Sequence, residues 1–356
     1  MSKANTSLRA VSIRFLQAGT FLTEDIHCYD SNRLLAKSGT FIDNEKLYKL
    51  KNLNRGKETI FVTHSTYELL MHGQIDIRRQ SLEEKTGYVA VKKEAVELLG
   101  EIAKNKAVEK AALLNVSDEL SNQLESTNAS TILSLINALA PVDEYLQRHC
   151  VNTGLLNGLM GKWLGMDKEA IDRLVLIGLL HDCGKAIMPP SVLSAPRKLS
   201  GAEYQIIKTH PIRSYDLLAD FPAVVRHAAR SHHEKVDGTG YPDRLRDNDI
   251  PIEARITAIS DIYDAMVSQR AYKKPLSPFG VMAYCAGLAG TVLDAELLDV
   301  FIKNMPSELL KKQVLLSDGT VGFVRSFDVR RIEYPTVEIN GRAVNTHPNL
   351  FCVSMY

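Results

Sequence analysis

Cysteine is sparse and unpaired in this chain of 356 residues: Cys28, Cys150, Cys183, Cys285 and Cys352 are scattered, odd in number and never spaced as CxxC. That pattern excludes a disulfide framework and argues against a thiolate-bound structural zinc. Long apolar runs are missing too. The longest covers residues 174–180, far short of the roughly twenty needed to cross a bilayer. No basic segment followed by an apolar one opens the chain, so no export signal is read and the cytoplasm is the expected address. Excess charge of either sign is also absent, with 43 lysines and arginines against 42 aspartates and glutamates. Bulk attraction to DNA, RNA or an acidic membrane is therefore not expected, and an anionic ligand has to be held by local charge. What is present is an ordinary hydrophobic fraction of 45%, enough for two or three domains, one with a sizeable core.

The texture of the sequence changes along its length. The first part mixes short apolar runs with turn chemistry at Asp30-Ser31-Asn32 and Ser38-Gly39, ending in Thr59-Ile60-Phe61-Val62. This predicts a small β-rich N-terminal domain over residues 1–64, with one helix near residues 47–53. Residues 65–140 contain no proline and carry helical patterning, as in Ala95-Val96-Glu97-Leu98-Leu99, so they read as a helical connector. Pro141-Val142-Asp143 then supplies a helix start for residues 144–164, opening an all-helical core over residues 141–312. Beyond it, Asp318-Gly319 and Asn340-Gly341 sit between short apolar runs and predict a β-hairpin tail over residues 313–356. The fold class is mainly α.

Seven metal-binding side chains stand in that helical block: His149, the pair His181-Asp182, His210, the pair His232-His233, and Asp261. A single histidine is more often a surface or hydrogen-bonded core residue, and a His-Asp dipeptide occurs often by chance. The ordered set has no comparable explanation. Imidazole with carboxylate suits divalent manganese, iron, nickel or zinc in a site without sulfur, and seven groups exceed what one ion takes. Neighbouring residues on a helix point about 100° apart, so each doublet can serve two ions, with the Asp182 carboxylate leaning between them. Ions held about 4 Å apart in this way share a water and clamp a phosphate. Two divalent cations are expected, iron or manganese ahead of nickel or zinc.

HDCGK at 181–185, HP at 210–211, HHEKVDGTGYP at 232–242 and ISDIYDAMVSQRAY at 259–272 follow one another in an order and spacing that resembles the HD-GYP family of the HD phosphohydrolase superfamily, over roughly residues 90–312. The N-terminal β segment is more weakly similar to a small domain that often precedes such cores. The resemblance implies an HD-type helical core that hydrolyses cyclic di-GMP to linear pGpG and then GMP, with the seven residues above as ligands. It also implies that Lys185 touches the scissile phosphate, that Arg270 and Lys273 hold phosphate oxygens, and that Gly240-Tyr241-Pro242 lines the cleft or meets a diguanylate cyclase (GGDEF) domain. Members with a third metal carry a glutamate where this chain has Tyr145, so the resemblance points to a dinuclear site. Cys183 replaces an aliphatic residue and reads as a small buried apolar side chain. Ser214 and residues 194–198 also depart from the common pattern, and read as drift without consequence for the ligands.

The reaction expected is in-line attack on phosphorus by a hydroxide bridging the two ions, with Asp182 and Lys185 as the catalytic pair and Lys185 and Arg270 offsetting charge on the phosphoryl oxygens. Other uses of the same residues stay open. One is a cyclic-dinucleotide sensor or adaptor working through the GYP loop; another is a phosphodiesterase for 3′,3′-cyclic GMP-AMP. The helices of residues 65–140 suit either packing within the chain or a homodimer contact.

Overall fold

The structure is a computed structural model that describes residues 8–13, 20–21, 25–28, 33–37, 41–42, 44–53, 59–63, 88–105, 107–137, 145–193, 197, 199–268, 276–317, 320–339 and 341–355. The N-terminal part is β-rich, as its turn chemistry suggests. Strands β1 (Leu8–Ser12), β2 (Thr20–Phe21), β3 (Ile26–Cys28), β4 (Leu34–Ala36), β5 (Phe41–Ile42) and β6 (Thr59–Thr63) form a sheet in the order β1-β6-β3-β4 and a separate β2-β5 ladder. The expected helix is α1 (Asn44–Leu53). Ile26 and Ile60 are fully buried in that sheet.

Three helices follow: α2 (Tyr88–Asn105), α3 (Lys110–Ser126) and α4 (Ala129–Asn137). They agree with the helical reading of the connector, whose residues 65–87 lie outside the described residues. The start signal at residues 141–143 lies outside them as well, and helix α5 is seen from Tyr145–Trp163. Helix α6 (Lys168–Leu180) begins at Asp167, whose carboxylate accepts the Ala170 N–H at 2.8 Å, a normal N-cap. Every residue of the apolar run 174–180 is buried. A helix apolar on all sides belongs in a core, and here α6 is packed against α5, α3, α10 (Ala223–Ser231) and α11 (Ile252–Val267). No helix among the described residues is long and apolar enough to cross a membrane.

The α5–α6 contact has no room for a side chain at Gly178, where a Cβ would lie 2.6 Å from the backbone of Gly154. This close approach sets the N-terminal half of α5 beside the C-terminal end of α6. Asn157 on α5 then bridges to both neighbours, donating to Leu174 O at 3.1 Å and Thr257 Oγ1 at 2.9 Å. Helices α12 (Pro278–Ala286) and α13 (Ala295–Glu308) complete the bundle.

The tail is more than a hairpin. Strands β7 (Gln313–Leu316) and β8 (Val321–Ser326) pair across residues 318–319, and β9 (Thr336–Ile339) and β10 (Arg342–Asn345) pair across residues 340–341. A further strand, β11 (Cys352–Met355), returns to β7 and completes a five-stranded antiparallel sheet in the order β10-β9-β8-β7-β11. Val314, Leu316, Val337 and Met355 join the same hydrophobic core as the helices.

Candidate metal centre

Five separate elements bring the expected ligands together. His149 lies on α5; His181 ends α6, with Asp182 entering a tight 3-10 turn at Cys183–Ile187; His210 opens helix α9 (His210–Leu217); His232 and His233 follow α10; and Asp261 lies on α11. Helices α7 (Pro190–Leu193) and α8 (Gly201–Ile207) connect the 3-10 turn to α9. The turn meets α9 with no spare space, since a Cβ on Gly184 would lie 2.3 Å from His210 O. Ser214 fastens the same junction. Its buried hydroxyl donates to His181 O and accepts the Gly184 N–H, both at 2.9 Å. The reading of Ser214 as inconsequential is thereby corrected, because it tethers the backbone on both sides of Asp182.

The side chains separate into two groups that share Asp182. His149, His181 and Asp182 offer ligand atoms lying within 4.8 Å of one another, and so do Asp182, His210, His232 and His233. The two carboxylate oxygens face different ways: Oδ2 is 3.4 Å from His181 Nε2 and 3.8 Å from His149 Nε2, whereas Oδ1 is 3.1 Å from His210 Nε2 and 3.6 Å from His232 Nε2. Asp261 spans the groups from the other side, with Oδ1 3.0 Å from His149 Nε2 and Oδ2 3.9 Å from His233 Nδ1. Each carboxylate thus faces both groups.

Backbone carbonyls set the imidazole orientations. His181, His210 and His232 each donate Nδ1–H to the carbonyl three residues earlier, Gly178 at 2.7 Å, Ile207 at 2.8 Å and Ala229 at 2.7 Å. Each Nε2 of a neutral ring then presents a lone pair. Burial, outweighing the pull of Asp182, lowers the pKa of His210 and His232, and burial beside His232 holds His233 well below the usual range. Asp182 is ionised: burial opposes its charge, but Lys185 and His181 draw its pKa well below normal. With Nδ1 donating, the Nε2 atoms converge on the carboxylate oxygens and, at 3.3 Å between His210 and His232, on each other. Among the described residues, buried His181 Nε2 and Asp182 Oδ1 have no hydrogen-bond partner. Convergent buried acceptors without donors are repulsive unless a cation lies among them, so the residues present fit divalent metal ions.

His149 is held differently. Its Nδ1–H donates to Asp264 Oδ2 at 2.7 Å, and Asp264 Oδ1 accepts from Asn152 Nδ2 at 2.7 Å and from the Ser268 hydroxyl at 3.3 Å. Burial favours the neutral ring, but the bonds to Asp261 and Asp264 prevail and raise its pKa to about 9. Carboxylate–histidine pairs of this kind orient metal-bound imidazoles. Asp264 and Asn152 were not singled out in the sequence. Their signal was spacing: each stands three residues after an expected ligand, Asp261 and His149, on the same helix face.

Around this centre, Lys185 Nζ donates to Asp182 Oδ2. Cys183 is buried, and burial pushes its thiol up to about 12, in keeping with an apolar role. The Tyr241 ring stacks on His233, with centroids 4.9 Å apart and planes 32° from parallel, while Lys208 Nζ lies 4.8 Å from its centre. Gly240, Tyr241 and Pro242 line an open groove of about 570 Å³ together with Lys208, Thr209 and Arg244. Glu234 fixes the loop, accepting the N–H groups of Asp243, Arg244 and Leu245 at 2.6, 3.0 and 3.1 Å. Arg270, Lys273 and the Tyr145 side chain lie outside the described residues.

A buried histidine–aspartate cluster divided by a shared carboxylate, in a helical bundle, is a donor set suited to divalent metal ions. The HD domain family model matches residues 109–297, and the chain belongs to the HD-GYP branch of that family. It is 33% identical over 51% of its length to "Cyclic di-GMP phosphodiesterase response regulator RpfG" of Xanthomonas campestris, covering 50% of that protein. It is 30% identical over 73% of its length to "Cyclic di-GMP phosphodiesterase PA4108" of Pseudomonas aeruginosa, covering 64% of that protein. A "3'3'-cGAMP-specific phosphodiesterase 2" of Vibrio cholerae is 30% identical over 51% of this chain and is covered to 35%. The chain thus spans between about a third and two thirds of these curated relatives. An HDG"Y"P protein of Bdellovibrio bacteriovorus shares the fold, with a TM-score of 0.52, 15% identity, and coverage of 84% of this chain and all of the other.

Proposed function

We propose that the protein is a metal-dependent cyclic dinucleotide phosphodiesterase that cleaves cyclic di-GMP to linear pGpG and onward to GMP. The observation that carries this reading is the divided environment of Asp182, one oxygen facing His149 and His181 and the other facing His210 and His232. His149, His181, Asp182 and Asp261 would hold one divalent cation, and Asp182, His210, His232 and His233 a second, iron or manganese best matching the donor set. When bound, such a pair supplies an activated water and neutralises phosphate charge. The chain's own residues do the rest. Asp182 fixes the spacing of the two groups, and Asp264 and the three backbone carbonyls hold the imidazoles in one tautomer. Lys185 uses one of its three donors on Asp182, leaving two for the anionic phosphoryl group. By the family resemblance, Arg270 and Lys273 would hold further phosphate oxygens. The groove along Gly240, Tyr241 and Pro242 receives the remainder of the dinucleotide, and its exposed outer residues Asp243 and Arg244 suit contact with a diguanylate cyclase domain.

The test is anaerobic incubation of purified protein with cyclic di-GMP or 3′,3′-cyclic GMP-AMP and added Mn²⁺ or Fe²⁺, with chromatography of the products. Linear dinucleotide or mononucleotide, formed only with metal, is expected, and the better substrate identifies the base preference. Asp182→Ala should lose turnover and metal together, whereas Lys185→Ala should lose turnover and keep metal. Intact cyclic dinucleotides in a sample that binds about two metals per chain would replace the enzyme reading with that of a sensor.

A further inference from the structure

Apart from the GYP groove, a second concavity borders the metal centre. A cavity of about 190 Å³ lies against Asp182 and Lys185, with Leu99 and Gly100 contributed by α2 and Gln147 and Cys150 by α5. The remaining lining side chains among the described residues are apolar. Pockets that hold a whole drug-sized ligand measure roughly 300–1,000 Å³, so this one is too small for a dinucleotide and of a size for one flat ring system. Its chemistry suits such an occupant. Aliphatic groups and protonated thiols flank a π-face favourably, and the half-buried Gln147 amide offers a donor and an acceptor side by side, as a purine edge requires.

Gly100 is the second observation. It sits inside α2, where glycine costs about 0.5–1 kcal/mol relative to alanine. Among the described residues nothing in the packing requires it, since a Cβ there would meet no atom within 4 Å. Its effect is to leave the cavity wall without a side chain. Helix α2 also lies before residue 109, where the match to the HD domain begins.

We propose that this cavity takes one nucleobase of a cyclic dinucleotide, that Gln147 reads the base edge, and that α2 thereby contributes to substrate selection. The assignment rests on the phosphodiesterase reading above. Lys185 joins the two, because it borders the cavity and stands beside Asp182, and a nucleoside places its base one sugar away from its phosphate.

The test compares wild type with Gly100→Phe, which fills the cavity, and Gln147→Leu, which removes the polar edge. The substrates are cyclic di-GMP, 3′,3′-cyclic GMP-AMP and bis(4-nitrophenyl) phosphate, the last reporting on the metal centre without a nucleobase. In Gly100→Phe the ratio of kcat/KM for cyclic dinucleotide to that for the small diester should fall about tenfold or more, and in Gln147→Leu the preference between the two dinucleotides should change. Ratios indistinguishable from wild type in both variants overturn the assignment. Should wild type cleave the small diester but no cyclic dinucleotide, the enzyme reading fails separately, and calorimetric binding of cyclic di-GMP decides the cavity: weaker binding by Gly100→Phe supports it, whereas equal binding, or no binding by wild type, overturns it. Gly100→Ala, expected to raise Tm, controls for effects on the helix itself.

Discussion

Replacing Asp264 by asparagine tests whether the centre is held by its surroundings as well as by its ligands. Asp264 is fully buried and accepts three hydrogen bonds, from His149 Nδ1, Asn152 Nδ2 and the Ser268 hydroxyl. Asparagine preserves the shape but has a single carbonyl oxygen, so its amide N–H₂ must face either the His149 or the Asn152 donor. A buried donor left facing another donor costs about 1–3 kcal/mol. Where that donor orients a metal-bound imidazole, the expected loss is about 10- to 100-fold in metal affinity or activity, each factor of ten being about 1.4 kcal/mol. The loss should be local. His210, His232 and His233 do not touch Asp264, so the affinity of their group should be retained while that of the His149–His181 group falls. Equilibrium dialysis at graded Mn²⁺, with metal counted by mass spectrometry, would separate the two, showing one tight and one weakened site where wild type shows two tight ones. An unchanged binding curve in a folded variant would refute the argument, as would equal weakening of both sites.

Gly178→Ala is expected to lower Tm and metal loading together, because its methyl group would enter the Gly154 backbone at 2.6 Å; overpacking costs about 1–3 kcal/mol and more against unyielding backbone, and thermal melts with metal analysis would check it. Ser214→Ala should destabilise the protein by about 1–3 kcal/mol, since the Gly184 N–H and His181 carbonyl both lose their partner. Its denaturant midpoint is the measurement, and an unchanged midpoint would restore the view that Ser214 is incidental.

The clustering of the seven candidate side chains was legible because two histidine-containing doublets and their ordered companions are improbable in a helical block, and doublets carry their own geometry. Ser214 was visible yet discounted, for a serine inside a helix normally says little, and only the approach of the Gly184 turn gives its hydroxyl two partners. Asp264 was concealed differently: it stands one turn beyond Asp261 and looks like another polar residue of α11 until α5 supplies His149 and Asn152 to it. The tail shows the same limit. Its Asp-Gly and Asn-Gly turns report local pairing, whereas the β11–β7 pairing joins residues far apart in sequence and carries no turn signal.

The least legible feature is the one that bears most on selectivity. Helix α2 reads from sequence as a connector, and Gly100 as a mild weakness in it. Its importance comes from placement beside α5 and the 3-10 turn, where the missing side chain leaves a cavity against Asp182 and Lys185. Metal chemistry at Asp182 would account for cleavage of a phosphodiester but contains nothing that distinguishes one purine from another. Discrimination must therefore be built outside the ligand set, by groups that meet a base edge, and such groups belong to walls that vary without disturbing the metals.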